Sequence, residues 1–473
     1  KSSVRVPAGR TGMVSRARLV ALILPIGLIL LIGLGGSGMA QDLPPSQQLP
    51  PVAAPTVKVE TNQLPVLDTT PQFDPLSATN AYLDRVGGAA RARSDAYTNG
   101  NYGWALVDFL YGLLVAGLLL WLKLSARIRD WAAEKTRSRV YQVMLFGVIY
   151  VSVVTAATLP LSIYEGYVRE HAYGLSNQTF LQWLSDFAKS FALTLIAAVV
   201  ALPVFYAAIR RTRESWWLWG AGVVIAFSIL VQVVYPVFIA PLYNSYTPLP
   251  DSPLKQQIES LARANGVETD NIWLVDESRQ STRISANVSG FLGTTRVSLN
   301  DNLLKRGTPD EVLAVLGHEM GHYVMAHALR GILLMGLVTL VGFGFVAFAF
   351  RLSTGIFGGN WQVREPEDVA GLPLLVALMS IFLFAVAPVT NSITRSMENE
   401  ADIFGVNAVR KPDAFASVIL KLADYRKLDP GPWEETMLYD HPSGRTRIFT
   451  MMRWKKEHVR DLDIRDSVNG NPH

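Results

Sequence analysis

Two histidines four residues apart with a glutamate beside the first, His318-Glu319-Met320-Gly321-His322, carry the clearest chemistry in this chain. Helical residues i and i+4 share a face, so both imidazoles can grip one metal ion. Glu319 is offset by one position, where it can take a proton from metal-bound water without ligating the metal itself. The local sequence positions this trio well. Thr308 can cap a helix, Pro309 suits its first turn, and Glu311 completes a capping box, so a helix is predicted from Val312 to about Ala328. The chain has seven His, three of them (His318, His322 and His327) within ten residues, and no Cys. Any metal must therefore be held by His, Asp or Glu, and disulfides, iron–sulfur clusters and cysteine nucleophiles are excluded together. The competing reading, a chance pair of histidines on an ordinary helix, needs a rare residue twice at a fixed offset. His327 fits a structural role as well as a supporting one.

A catalytic zinc takes three protein ligands and leaves one position for water. The third must come from elsewhere, and Glu398-Asn399-Glu400-Ala401-Asp402 offers it on a helical pattern. Glu398 and Asp402 share a face. Glu398 can close the site while Asp402 accepts the free N–H of a zinc-bound His and fixes its tautomer. Taken alone, this stretch is an ordinary solvated helix face, and it gains a role only in company with the His pair. His/His/Glu ligation suits zinc best among divalent metals.

The elements around these residues belong to a membrane protein. Of 473 residues, 50% are hydrophobic and only 17% charged, below the quarter expected of a soluble domain, and mean hydropathy is +0.23. Net charge is +4 with no long basic stripe, which argues against a nucleic-acid partner. Residues 1–40 read as an export leader: Arg16 and Arg18 precede the apolar run Leu19 to Leu34, Gly38-Met39-Ala40 offers a cleavage site, and Met13 is the expected start. An uncleaved anchor is the alternative. Residues 41–101 are expected to form a Pro- and Gln-rich extracytoplasmic spacer. Four spans within 102–240 (Trp104–Leu122, Tyr141–Leu161, Phe191–Ile209, Trp216–Ile239) are followed by a soluble α/β piece over 241–330. A two-span hairpin over 331–390 (Gly331–Phe350, Leu372–Val389) leads to a second soluble piece over 391–473. Within 241–330, Leu254–Asn265 is predicted helical, Ile272–Val275 and Arg296–Leu299 are strands, and Ile284–Phe291 is an edge strand. The connections 123–139 and 210–215 carry nine Lys or Arg, against two in 162–190. They are expected in the cytoplasm, which puts residues 240–330 outside it.

The residues around His318 to His322, with Glu398-x-x-Ala401-Asp402, resemble integral-membrane zinc metalloproteases of the CAAX prenyl protease 1 family, to which HtpX-like heat-shock proteases are related. Further matches are Ala240-Pro241-Leu242-Tyr243-Asn244-Ser245-Tyr246-Thr247-Pro248-Leu249-Pro250, Glu170-His171, Thr394-Arg395, His441-Pro442 and Arg447-Ile448, so the likeness spans roughly residues 100–455. The first of these and His441-Pro442 favour the prenyl-protease branch. The resemblance implies a gluzincin-type α/β zinc protease domain on a multi-pass α-helical membrane protein, enclosed by helices around a water-filled chamber, with one Zn2+ per chain. It implies His318, His322 and Glu398 as ligands, Glu319 as general base, and Asp402 as the acid behind a ligand, with Arg447 in support. It also implies His441 near the reacting carbonyl, for which a helix-capping role is the alternative. Ser285, Ala286 and Gly290 fall in the strand that pairs with substrate.

Three departures stand out. Ser285 replaces the family's usual Asn, the leader and Pro-rich stretch replace its first span, leaving six, and the loop charges place catalysis outside the cytoplasm. The expected activity is zinc endopeptidase action on a peptide or protein, in a bacterial inner membrane. A membrane quality-control protease is the runner-up, and a transporter or scaffold with a structural zinc is the non-enzymatic alternative. Oligomeric state is left open.

Overall fold

The computed structural model describes residues 73–267, 271–289 and 295–459. In chain order the helices are α1 (Pro75–Leu83), α2 (Gly88–Trp121), α3 (Leu124–Lys135), α4 (Arg139–Ile163), α5 (Phe180–Thr212) and α6 (Trp216–Val234). The soluble insertion follows with β1 (Tyr246–Pro248), α7 (Pro253–Ala264), β2 (Ile272–Val275), β3 (Ala286–Ser289), β4 (Arg296–Asn300), α8 (Asp301–Arg306) and α9 (Pro309–Val324). Two long helices, α10 (His327–Trp361) and α11 (Leu372–Val409), then lead to α12 (Pro412–Lys421), α13 (Pro432–Leu438) and α14 (Gly444–Glu457).

Among the described residues, five stretches are long and apolar enough to cross a membrane. One of them, Phe180–Leu242, has 63 residues, about three times what a bilayer requires. A 3₁₀ turn at Arg213–Ser215 breaks it into α5 and α6, so all six stretches expected from hydropathy lie on long helices. Phe146, Tyr206, Phe343 and Phe350 lie in the core where these helices meet. Asp108 on α2 is half-buried.

The bundle has two distinct ends. At one, Arg129 of α3 bonds Asp368 at 2.6 Å and Ser125 donates to the Ala370 carbonyl at 2.6 Å, tying the basic connection after α2 to the one before α11. At the other, Glu170 accepts from Tyr97 of α2 at 2.6 Å and from Arg283 of the insertion at 2.8 Å. The basic connections thus lie at the opposite end of the bundle from the soluble domain.

That domain holds a four-stranded sheet in the order β1-β2-β4-β3. Here β2 and β4 run parallel, with Ile272 opposite Val297, and β3 pairs antiparallel with β4, Ala286 opposite Leu299. Among the described residues β3 is an edge, shorter than the expected 284–291, and residues 290–294 lie outside the description. Val297, Leu299, Leu303, Val312, Leu316 and Met320 form a core that fastens α9 to the sheet.

Two boundaries differ from expectation. The predicted spacer over 41–101 is folded from residue 73 onward. Asp74 caps α1 by accepting from the N–H groups of Leu76 and Ser77. Pro75, Thr79, Tyr82 and Leu83 then form one buried stripe, which joins the core of α12 and α14 with Phe415, Ile448 and Met451. Residues 88–101 are the first turns of α2, and residues 1–72, with the expected leader, lie outside the described residues. The expected division at 390/391 also dissolves, because α11 runs unbroken through it. The composition of this helix passes from the apolar stretch Leu372–Val389 to a polar one from Thr390 onward, and the backbone simply continues.

Candidate active site

Local chemistry starts α9 as predicted, but the helix ends at Val324 rather than running on to Ala328, because Ala326 turns left-handed. The Thr308 hydroxyl accepts from the Glu311 N–H at 3.3 Å while Glu311 accepts from the Thr308 N–H at 2.7 Å. Glu311 is 3% exposed and also binds Ser417 at 2.7 Å and the Lys421 ammonium, so the capping box doubles as a clamp onto α12. Burial pushes its pKa up, but hydrogen bonds from Lys421, Ser417 and Thr308 outweigh this and hold it below the usual range.

Glu398 reaches the two histidines because α9 and α11 cross at very close range. A Cβ on Gly317 would meet Val409 Cγ2 at 2.6 Å, and one on Gly405 would meet the backbone N of His318 at 2.8 Å. Only hydrogen fits at these positions, and the approach sets the carboxyls of α11 against the imidazoles of α9.

His318 Nε2 and His322 Nε2 converge to 3.0 Å. Glu398 reaches between them, Oε2 at 3.3 Å from His318 Nε2 and Oε1 at 3.4 Å from His322 Nε2. One donor atom from each residue lies within 4.8 Å of the others, and all three residues are buried. Glu398 Oε2 has no hydrogen-bond partner despite being fully enclosed. An enclosed carboxylate oxygen without a donor is costly, and a cation between it and the two ring nitrogens removes the cost. The donor set therefore fits a divalent metal.

Behind this cluster, His318 Nδ1–H donates to Asp402 at 2.8 Å, and Arg447 braces the same carboxylate with two bonds of 2.6 and 2.8 Å. This fixes the His318 tautomer with its Nε2 lone pair facing the cluster. Burial lowers the affinity of His318 for a proton, yet the hydrogen bond to Asp402 and the nearby Glu398 carboxylate raise its pKa to about 10. The carboxylates favour positive charge at this spot, which a bound divalent ion supplies in place of the proton.

Glu319 is half-buried on the adjoining strip of α9. His441 lies with Nε2 3.4 Å from Glu398 Oε1 and Nδ1 2.9 Å from Asp440. Its alternative role as a helix cap is taken by Ser443, whose hydroxyl accepts from the Thr446 N–H at 3.2 Å. Ser285 is exposed just before β3, its carbonyl accepting from Asn300 N–H at 3.0 Å, and Ala286 opens the strand. Gly290 lies outside the described residues. The structure thus gathers His318, His322, Glu398, Asp402, Arg447 and His441 at one point. It adds a contact that spacing alone left open: His327, with no exposed side-chain surface, packs behind His322 with its Nδ1 2.9 Å from His322 Nδ1.

Comparison with known proteins gives concordant findings. The description "CAAX prenyl protease N-terminal, five membrane helices" matches residues 80–245, and peptidase family M48 matches residues 248–455. Among the described residues the first of these regions contains four long helices here: α2, α4, α5 and α6. An uncharacterized metalloprotease YhfN of Bacillus subtilis is 31% identical over 338 residues, covering 71% of this chain and 78% of its own. CAAX prenyl protease 1 of Saccharomyces cerevisiae is 30% identical over 329 residues, covering 66% of this chain and 72% of its own. The crystal structure of S. mikatae Ste24p is 25% identical with a TM-score of 0.66, covering 80% of this chain and 93% of that one.

Proposed function

The chain belongs to peptidase family M48 as an integral, multi-pass membrane metalloprotease, and from that premise we propose that it is an endopeptidase whose His318, His322 and Glu398 hold one zinc ion. The observation that carries the ligand assignment is the enclosed Glu398 oxygen, without a hydrogen-bond donor, beside two converging ring nitrogens. Zinc at such a site lowers the pKa of its water to about 7 and polarises a carbonyl. Glu319 takes the proton of the attacking water and returns it to the departing amine nitrogen. His441, held by Asp440, offers its Nε2 side to the oxygen on which negative charge develops. Asp402 and Arg447 keep His318 from rotating. The peptide is bound as an added strand along β3, beside Ser285 and Ala286. Backbone hydrogen bonds supply its affinity, with tolerance for side-chain sequence.

Sidedness follows from charge. The basic connections at the far end of the bundle support a cytoplasmic placement there, with catalysis on the extracytoplasmic face of a bacterial inner membrane. A peptide or protein on that face is then the substrate class, and a cytoplasmic prenylated protein does not reach it. A metalloprotease family also leaves the transporter or scaffold reading without support.

The deciding experiment is Glu319→Gln in detergent-purified protein, with metal content and peptide cleavage measured on the same sample. One zinc per chain with cleavage reduced about 10²–10⁴-fold is expected. Near-normal cleavage would end the mechanism.

A further inference from the structure

We propose that His327 and Glu400 form a positioning relay behind His322, holding its imidazole in the tautomer that turns the Nε2 lone pair toward the metal site. This deepens the zinc-peptidase reading and rests on it. Glu400 on α11 receives the Arg330 guanidinium through Nη1 at 2.5 Å and Nη2 at 3.3 Å. A carboxylate in that setting only accepts, so the His327 Nε2 that lies 3.2 Å from it carries the hydrogen. Neutral His327 then has its lone pair on Nδ1, which faces His322 Nδ1 at 2.9 Å. The proton in that contact belongs to His322 Nδ1, and its Nε2 is left bare, 3.0 Å from His318 Nε2. Both nitrogens of His327 are engaged outside the cluster, so it is not itself a ligand. The two imidazole ligands are thus braced alike: each leans on an arginine-held carboxylate of α11, His318 directly on Asp402, His322 through His327 on Glu400.

The backbone is bent to make this contact. Residues five apart on one continuous helix point roughly 140° away from each other. Here α9 ends at Val324, Met325 caps it, and Ala326 adopts a left-handed conformation with φ 57° before α10 begins at His327. A residue with a Cβ pays for that conformation. The reversal swings the first side chain of α10 back beneath the last turn of α9, where His322 is waiting.

The test uses full-length protein in detergent, with Zn2+ affinity read by competition against a chelating fluorophore. His327→Leu removes the acceptor, and its affinity is expected to fall about 10–100-fold. His327→Asn places an oxygen where Nδ1 was and should recover most of that loss. The melting temperature of the chelator-treated protein should be the same for all three forms. Wild-type affinity in His327→Leu overturns the relay, as does failure of Asn to do better than Leu. A metal-free melting temperature that falls in step with affinity also overturns it, because the role would then be structural. The zinc-peptidase reading fails separately, through cleavage by Glu319→Gln.

Discussion

Gly405→Ala tests whether the close crossing of α9 and α11 is what makes the metal site. The new methyl carbon would lie 2.8 Å from the His318 backbone N, 2.8 Å from Phe415 Cζ and 3.0 Å from the Gly317 backbone carbon. Two of these neighbours are main chain and cannot rotate aside. Ordinary contact begins near 3.4 Å, so the helices must part by about 0.6 Å in a region packed like a crystal. Metal–ligand distances tolerate about 0.2 Å. Two of the proposed ligands ride on α9 and one on α11, so this parting falls directly on the proposed ligand set. Overpacking of this kind costs about 1–3 kcal/mol, offset in part by the better helix propensity of Ala, about 1 kcal/mol. A misplacement approaching 1 Å costs on the order of 100-fold in rate. Gly405→Ala should therefore melt at most a few degrees lower, yet lose about 10–100-fold in both Zn2+ affinity and kcat/KM. Gly331→Ala on α10, where a Cβ meets nothing within 4 Å, is the control and should match the wild type. If both alanine variants bind zinc and cleave peptide equally well, the crossing distance does not set the site.

Glu311 gives the acid limb of stability. Its carboxyl is held below the usual range in the fold, so its contribution is complete above the unfolded value near 4.5 and is lost as pH falls through the lower folded value. Melting temperatures from pH 7 down to 3 should show a drop below about 4.5 that is smaller in Glu311→Gln; an identical drop in both refutes it. His441→Ala should retain one zinc per chain and lose about 10²–10³-fold in kcat, and loss of the metal instead would make His441 part of the ligand support. A phosphatase reporter fused in place of the residues after 250 should be active on the extracytoplasmic side, and activity only in the cytoplasm reverses the assigned orientation.

The chemistry of this chain was legible where it is local. The His318–His322 spacing, the Thr308 and Glu311 cap and the strands at 272 and 296 all follow from helical or alternating periodicity within a few residues. That Glu398 and Asp402 face the same way was readable because they stand four residues apart on one helix. What could not be read are pairings across long separations with no periodic signature. The docking of Tyr82 on Asp413 at 2.8 Å folds a stretch whose neighbourhood is rich in proline. Lys421 turns a helix cap into an interdomain clamp. The left-handed Ala326 has no glycine or asparagine to announce it, so tertiary contacts impose the bend that brings His327 to His322.

The order in which the proposed ligands occur along the chain has a consequence for biosynthesis. Translation delivers the two imidazoles first, then α10, and only afterwards the carboxylate near the end of α11, with His441 and Arg447 later still. A ribosome-bound precursor therefore carries an incomplete cutting centre while its own helices are being threaded into the bilayer. On the proposed assignment the centre is complete only once the segment after the last long helix, with His441 and Arg447, has also been made.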